Sequence, residues 1–105
     1  MPTMTADEIA RELTTLQGWE LVDQSIRKQY TFQDFPEAVL FVSALVPAAE
    51  ATDHHPDIDI RYKRVLVSYT THSEGGLTAL DFEGARAADD VAAQVPQLRE
   101  FGDGT

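Results

Sequence analysis

The sequence predicts an α+β fold, a four-stranded and mainly antiparallel sheet with helices packed on one face. Apolar residues recur at helical spacing in three segments and alternate two apart in others. The segments follow one another as helix, two strands, helix, two strands, helix. Such short strand pairs are most simply antiparallel, and a layer of helices covers their apolar side.

The first helix starts at Thr5, a plausible N-cap, with Glu8 three residues later completing a capping box. Ile9, Leu13 and Leu16 form its apolar stripe, and Gln17-Gly18 ends it, with glycine suited to the left-handed backbone after a helix. Trp19–Val22 reads as a strand, Asp23-Gln24-Ser25 as a turn, and Ile26–Phe32 as a second strand with Ile26, Lys28, Tyr30 and Phe32 two apart. Asp34 caps the second helix, and Pro36 falls in its first turn, where a missing N–H costs little. From Ala38 to Val46 this helix is apolar on most sides, which predicts wide burial against the sheet and a neighbouring subunit. Pro47 is expected to kink or interrupt it, with an end near Ala49–Glu50.

Ile58, Ile60 and Tyr62 alternate as a third strand and Val65, Val67 and Tyr69 as a fourth, with Lys63-Arg64 at a turn or bulge between them. Ser73-Glu74-Gly75-Gly76 is a loop. Thr78 caps the third helix, with Asp81 in the capping-box position and Leu77 as the apolar residue before the cap. Leu80, Ala85, Ala88, Val91 and Ala92 give it a core-facing stripe, and Pro96 is expected to close it. Residues 1–105 thus read as one domain, in which 97–105 form a frayed tail.

A formal charge of −10, from 18 acidic against 8 basic residues, argues against direct contact with nucleic acid or an anionic membrane. The small basic patch of Arg61, Lys63 and Arg64 reads as a solvated strand face. With no cysteine, a disulfide framework and a thiolate metal site are both excluded. The N-terminus shows no secretory pattern, and no run approaches the roughly 20 apolar residues of a spanning helix. A cytoplasmic location is the simplest expectation.

All three histidines, His54, His55 and His72, fall between Glu50 and Asp81, together with Asp53 and Pro56. A metal site would need three convergent ligands, yet adjacent side chains in extended backbone point apart, and no HExxH or CxxC pattern is present. We therefore expect no metal. Ser68 and Ser73 lie near His72, but no GxSxG elbow accompanies them. Gly75-Gly76 before a helix resembles an anion-binding turn, though it lacks a phosphate-loop pattern and reads more simply as a glycine pair needed for backbone conformation. Acid–base chemistry is left: imidazoles exchange protons near neutrality, and carboxylates orient them.

This stretch resembles the pterin-4a-carbinolamine dehydratases, whose signature is an acidic residue, His-His-Pro, an aromatic, a distal His and an Asp. Here these are Glu50, three residues, His54-His55-Pro56, five residues, Tyr62, nine residues, His72, eight residues and Asp81. The likeness extends through Gly18-Trp19, Lys28 to Phe32, Phe35 and the run Thr71 to Thr78, covering roughly Gly18 to Ala88. The resemblance implies a hydro-lyase that dehydrates 4a-hydroxytetrahydropterin to quinonoid dihydropterin and water, recycling the pterin used in aromatic amino acid hydroxylation. In it, His54 and His72 lead the acid–base chemistry. His55 completes the catalytic histidines, mainly by binding and orienting the pterin. Glu50, Asp53, Pro56, Thr71 and Asp81 line or support the pocket. No metal or organic cofactor is implied, because the substrate's own ring nitrogen assists loss of hydroxide. Homodimeric or homotetrameric assembly is expected. Some family members resemble non-catalytic or bifunctional partners that stabilise a transcription regulator, and a pterin-binding regulator of a hydroxylase would be a variant of that alternative. At Ile58 the chain departs from relatives that often carry an aromatic two residues after the proline, which implies a lost contact of about 1 kcal/mol.

Overall fold

The computed structural model describes residues 2–103, with side chains through residue 99. Eight residues form α1 (Ala6–Leu13), and the expected capping box is present: the Thr5 hydroxyl accepts the Glu8 N–H at 3.2 Å, and the Glu8 carboxylate accepts the Thr5 N–H at 2.9 Å. The helix stops at Leu13, earlier than the apolar stripe suggested, because the Thr14 and Thr15 N–H groups turn back to Arg11 and Glu12. Leu16 therefore packs on the core from a turn. Gly18 has φ +83°, the left-handed conformation expected of it.

Strands β1 (Glu20–Val22), β2 (Ser25–Thr31), β3 (Asp57–Arg61) and β4 (Arg64–Tyr69) make one sheet in the order β1-β2-β4-β3. Every pairing is antiparallel, with Ile26 opposite Tyr69, Tyr30 opposite Val65, and Ile58 opposite Val67. The chain leaves β2 through α2 (Phe35–Thr52), enters the far edge as β3, and returns as β4 into the gap between them. Tyr62 is not a strand residue: it sits in the β3–β4 turn at φ +54° and is 66% exposed. A two-residue hairpin turn needs positive φ at its first position, and this requirement overrides the apolar alternation.

One face of the sheet is covered by α2 and α3 (Ala79–Asp103), which bury Ile26, Tyr30, Val65, Val67 and Tyr69 against Phe41, Leu45, Phe82, Ala85 and Ala88. Both internal prolines are accommodated. Pro47 lies inside α2, which continues to Thr52, and Pro96 lies inside α3, which continues to Asp103 instead of closing there. Each costs a helical bond, but contacts beyond each proline hold the chain: Ala49 after Pro47, and Arg99 after Pro96. Residues 104 and 105 of the expected tail lie outside the described residues. At 18 residues and mean hydropathy 1.3, α2 has the length and composition of a membrane span, yet Ala38, Phe41, Leu45 and Ala49 are buried in the core.

Two polar ties close the helical layer. Asp89 of α3 accepts Lys28 Nζ at 2.9 Å, Trp19 Nε1 at 3.2 Å and the Tyr30 hydroxyl at 2.5 Å. Burial, then the bond to Asp89, holds the Tyr30 phenol far above its ordinary range. At the other end, Asp34 caps α2 by accepting the Glu37 N–H at 3.1 Å, and both its oxygens accept Arg99 Nη1 at 2.6 Å. The Arg99 bond holds the Asp34 carboxyl below its ordinary value of 3.8.

A carboxyl lowered in the folded state stabilises fully above its unfolded value, and that contribution is lost as pH falls through the folded one. Asp34→Asn keeps a capping oxygen but removes the charge. Its urea midpoint should lie below wild type at pH 7, and the gap should close as pH drops below 3.8. A gap that stays constant down to pH 3 would assign the loss to something other than the ion pair.

Candidate active site

The site is built at the C-terminal end of α2. Asp53 adopts φ +49°, ψ +41°, its N–H reaching the Glu50 carbonyl while the His54 N–H reaches the Ala49 carbonyl at 3.2 Å. This is a Schellman ending with aspartate in the left-handed position, which Asp tolerates better than most residues. It reverses the chain at the histidine pair. Pro56 then holds His55 in extended backbone, so the two imidazoles leave on opposite sides.

His54 turns inward. Its Nε2 bonds Asp81 Oδ1 at 2.6 Å, and its side chain is only 12% exposed. Asp81, fully buried at the start of α3, also accepts the Thr71 hydroxyl at 2.7 Å and the Thr78 N–H at 2.9 Å through Oδ2. The Thr78 hydroxyl lies 2.9 Å from that of Thr71 and accepts the Leu80 N–H at 3.3 Å. Asp81 is thus half of a helix cap and the anchor of a histidine at once. Because an ionised carboxylate only accepts, the proton of the neutral ring sits on Nε2 and its lone pair on Nδ1.

His55 turns outward, its Nε2 2.5 Å from Glu50 Oε2, with both side chains more than half exposed. The pair stands at one end of a groove of about 130 Å³ between α2 and β3, whose walls include Leu45, Val46, Pro56 and Ile58. Ile58 is 37% exposed there, beside the histidine pair. His72 opens a single 3₁₀ turn, His72–Glu74, directly after the buried Thr71. Its ring is exposed and bonds no described residue. The turn is fixed from behind, since the Thr71 carbonyl accepts the Glu74 and Gly76 N–H groups.

The structure therefore joins His54, Thr71 and Asp81 in one network and His55, Glu50 and Pro56 in another. It leaves the Asp53 side chain exposed beside them. Among the described residues, no three His, Asp or Glu side chains are grouped so as to hold a metal ion.

Two contacts of this site were missed by the sequence reading. Tyr69, read from the sequence only as a residue of the fourth strand, stacks on His54 with centroids 6.0 Å apart and planes 23° apart. Gly84 of α3 makes room for it: a Cβ there would meet Tyr69 Cε1 at 2.5 Å and Cζ at 2.8 Å. Glycine inside an otherwise good helical pattern was the available signal. Alanine would gain about 1 kcal/mol of helix propensity, but a buried ring held between α3 and His54 has little room to yield. We expect Gly84→Ala to lose about 1–3 kcal/mol through overpacking, measured by urea unfolding. A stabilised variant would show that the ring moves freely.

The family model for pterin 4 alpha carbinolamine dehydratase matches residues 2–91. The chain belongs to this family. It is 43% identical over 91 residues to a relative from Sulfurisphaera tokodaii, covering 87% of this chain and 98% of the relative. A Picosynechococcus relative is 46% identical over 88 residues, covering 84% and 96%. Both relatives carry the name "Putative pterin-4-alpha-carbinolamine dehydratase". A crystal structure described as a transcriptional coactivator/pterin dehydratase from Brucella melitensis superposes with TM-score 0.83 at 38% identity, covering 86% of this chain and 98% of that one. A pterin dehydratase-like RuBisCO assembly factor of the alpha-carboxysome shares the fold, at TM-score 0.59 and 20% identity over 70% of this chain and 86% of that one.

Proposed function

We propose that the protein dehydrates 4a-hydroxytetrahydropterin to quinonoid dihydropterin and water, and so recycles a pterin for aromatic amino acid hydroxylation in the cytoplasm. The observation that carries this reading is the buried His54–Asp81 pair, in a chain of this family, beside an apolar groove that ends on His55 and Glu50. In the reaction the bond from C4a to oxygen breaks, the departing hydroxyl takes up a proton, and a ring nitrogen loses one. His54, oriented through Nε2, keeps Nδ1 for proton transfer. His72, exposed on a braced turn, is the second acid–base group. His55, paired with Glu50, orients the pterin between apolar walls, and no metal or organic cofactor takes part.

The test is spectrophotometric: freshly generated 4a-hydroxytetrahydropterin is mixed with purified protein, and dehydration should run well above the buffer rate. A rate equal to buffer overturns the enzyme reading.

A second reading, a binding partner that stabilises a transcription regulator or hydroxylase with catalysis secondary or absent, is favoured by one surface. Phe35, Val39 and Val46 of α2 are 42–53% exposed, and Ile58 and Ile60 lie on the sheet edge nearby. Val46 and Ile58 line one groove, and exposed apolar side chains grouped in this way mark an interaction site. We assign it first to a second copy of this chain. Val46→Asp should then reduce the mass found by size-exclusion chromatography with light scattering. An unchanged monomeric mass in wild type would leave the face to a different protein.

A further inference from the structure

The β3–β4 hairpin departs from two local preferences, and nothing inside the fold offsets either. Arg61 and Arg64 stand directly opposite each other across it, where like charges repel. Tyr62 holds the left-handed φ of +54° that favours glycine, yet it is 66% exposed and bonds no described residue. Lys63 completes the tip, so three of the eight Lys and Arg residues of a chain with formal charge −10 are gathered there. Val65, Val67 and Tyr69 of β4 are buried beneath the helices, so the alternate residues Arg64 and Leu66 face the uncovered side of the sheet. There Gln29, Asp59, Arg61, Arg64 and Leu66 line a groove of about 270 Å³. Asp59, the one carboxylate in it, accepts Arg61 Nε at 3.2 Å. Both terminal nitrogens of Arg61 and the whole guanidinium of Arg64 are left without a partner among the described residues.

We propose that this tip and groove dock an extended acidic segment of a partner protein, with its carboxylates on Arg61 and Arg64 and an apolar side chain against Tyr62. A guanidinium fork matches a carboxylate bidentately, and Arg and Tyr are among the residues that most often dominate protein interfaces. Negative charge from the partner removes the repulsion between the two arginines, and the half-buried Leu66 gives the groove an apolar floor. The groove is open and lined by five side chains, too few to enclose an organic ligand as small-molecule sites do. A nucleic acid would lay a continuous run of phosphates over a chain that is acidic beyond the tip, whereas a segment with a few carboxylates meets the tip alone. The tip lies at the opposite end of β3 from Pro56 and the histidine pair, and the groove is on the face of the sheet away from α2. This surface is therefore distinct both from the candidate active site and from the exposed face of α2.

The probe is a short peptide of glutamates around one leucine, titrated at low salt into the ¹⁵N-labelled full chain. The amide signals of residues 61–66 should move saturably, and binding should weaken as salt is raised. Arg64→Glu should weaken it by about tenfold or more, and Tyr62→Gly by about fivefold, as loss of an interface anchor does. Both positions are exposed, and both variants should unfold at a urea midpoint equal to or above wild type. One removes the repulsion within the arginine pair, and the other suits the turn. Weaker binding with undiminished stability is a result that a merely structural hairpin would not give. Hairpin signals that stay still under peptide, or equal binding by Arg64→Glu, overturn the proposal. Inorganic phosphate that moves the same signals to the same extent reduces the tip to a simple ion site and overturns the docking role. Tighter binding of a single-stranded oligonucleotide than of the peptide overturns the partner class. The titration does not depend on turnover, so this proposal and the dehydratase reading fail independently.

Discussion

Asp81→Asn is expected to lower dehydration by about 10²–10⁴-fold while the chain still folds. One Asp81 oxygen receives His54 Nε2 and the other receives Thr71 and Thr78. An amide keeps only one acceptor oxygen, and two donors hold it on the Thr71 and Thr78 side. Its NH₂ then faces His54, whose Nε2 must become an acceptor, and the ring proton moves to Nδ1. The imidazole stays in place in the wrong tautomer. In serine hydrolases the corresponding change from carboxylate to amide costs about 10⁴ in kcat with the geometry intact, and general acid–base catalysis overall contributes about 10²–10⁴.

Asp81→Ala should cost more in stability. It strands the Thr71 hydroxyl, the Thr78 N–H and the His54 ring around a carboxylate that has no solvent exposure, at about 1–3 kcal/mol for each unsatisfied group. Allowing for rearrangement, about 3–5 kcal/mol is expected, a large share of the ~5–15 kcal/mol that holds a domain together. Trp19, the only tryptophan and a buried one, reports the transition in urea by fluorescence. Equal kinetics for Asp81→Asn and wild type would remove Asp81 from the mechanism. Equal urea midpoints for Asp81→Ala and wild type would remove it from the core.

The second large effect is expected at the two acid–base histidines, and their surroundings separate activity from stability. His72 is exposed and bonds no described residue. His72→Ala should therefore lower kcat by about 10²–10⁴-fold and leave the urea midpoint within about 0.5 kcal/mol of wild type, as exposed substitutions do. His54→Ala should show a comparable fall in kcat. It should also destabilise by about 1.5–3 kcal/mol, because buried Asp81 Oδ1 loses a charge-assisted bond. His55, at the groove and largely solvated, should act mainly on KM. If His54→Ala and His72→Ala both stay within twofold of wild type in kcat, the proton-transfer roles assigned to them fail, whatever the family.

Much of the architecture was legible because it is local. The Thr5–Glu8 box, the Asp34 cap and the left-handed Gly18 each depend on residues a few positions apart, and each is found where the pattern predicted. Errors arose where tertiary contacts or turn geometry outweighed a local preference. Pro47 is expected to kink or interrupt α2 and Pro96 to close α3, yet both helices pass through their prolines. Tyr62 continued the alternation of β3, yet the hairpin needed that position for its turn.

The spaced set from Glu50 to Asp81 located the candidate site, and the rule that adjacent extended residues point apart already separated His54 from His55. It did not say which histidine turns inward. That choice was made by the sheet order, which inserts β4 between β2 and β3, and by the Schellman ending at Asp53. The pairing of His54 with Asp81 spans 27 residues, and the room that Gly84 leaves for Tyr69 joins a helix to a strand. By itself the sequence determined the elements, their order and the residues available for chemistry, since capping and periodicity act over a single turn or a strand's pleat. Only the tertiary structure decided which carboxylate holds which imidazole and what lies beneath it, because those contacts exist only once distant segments close around one core.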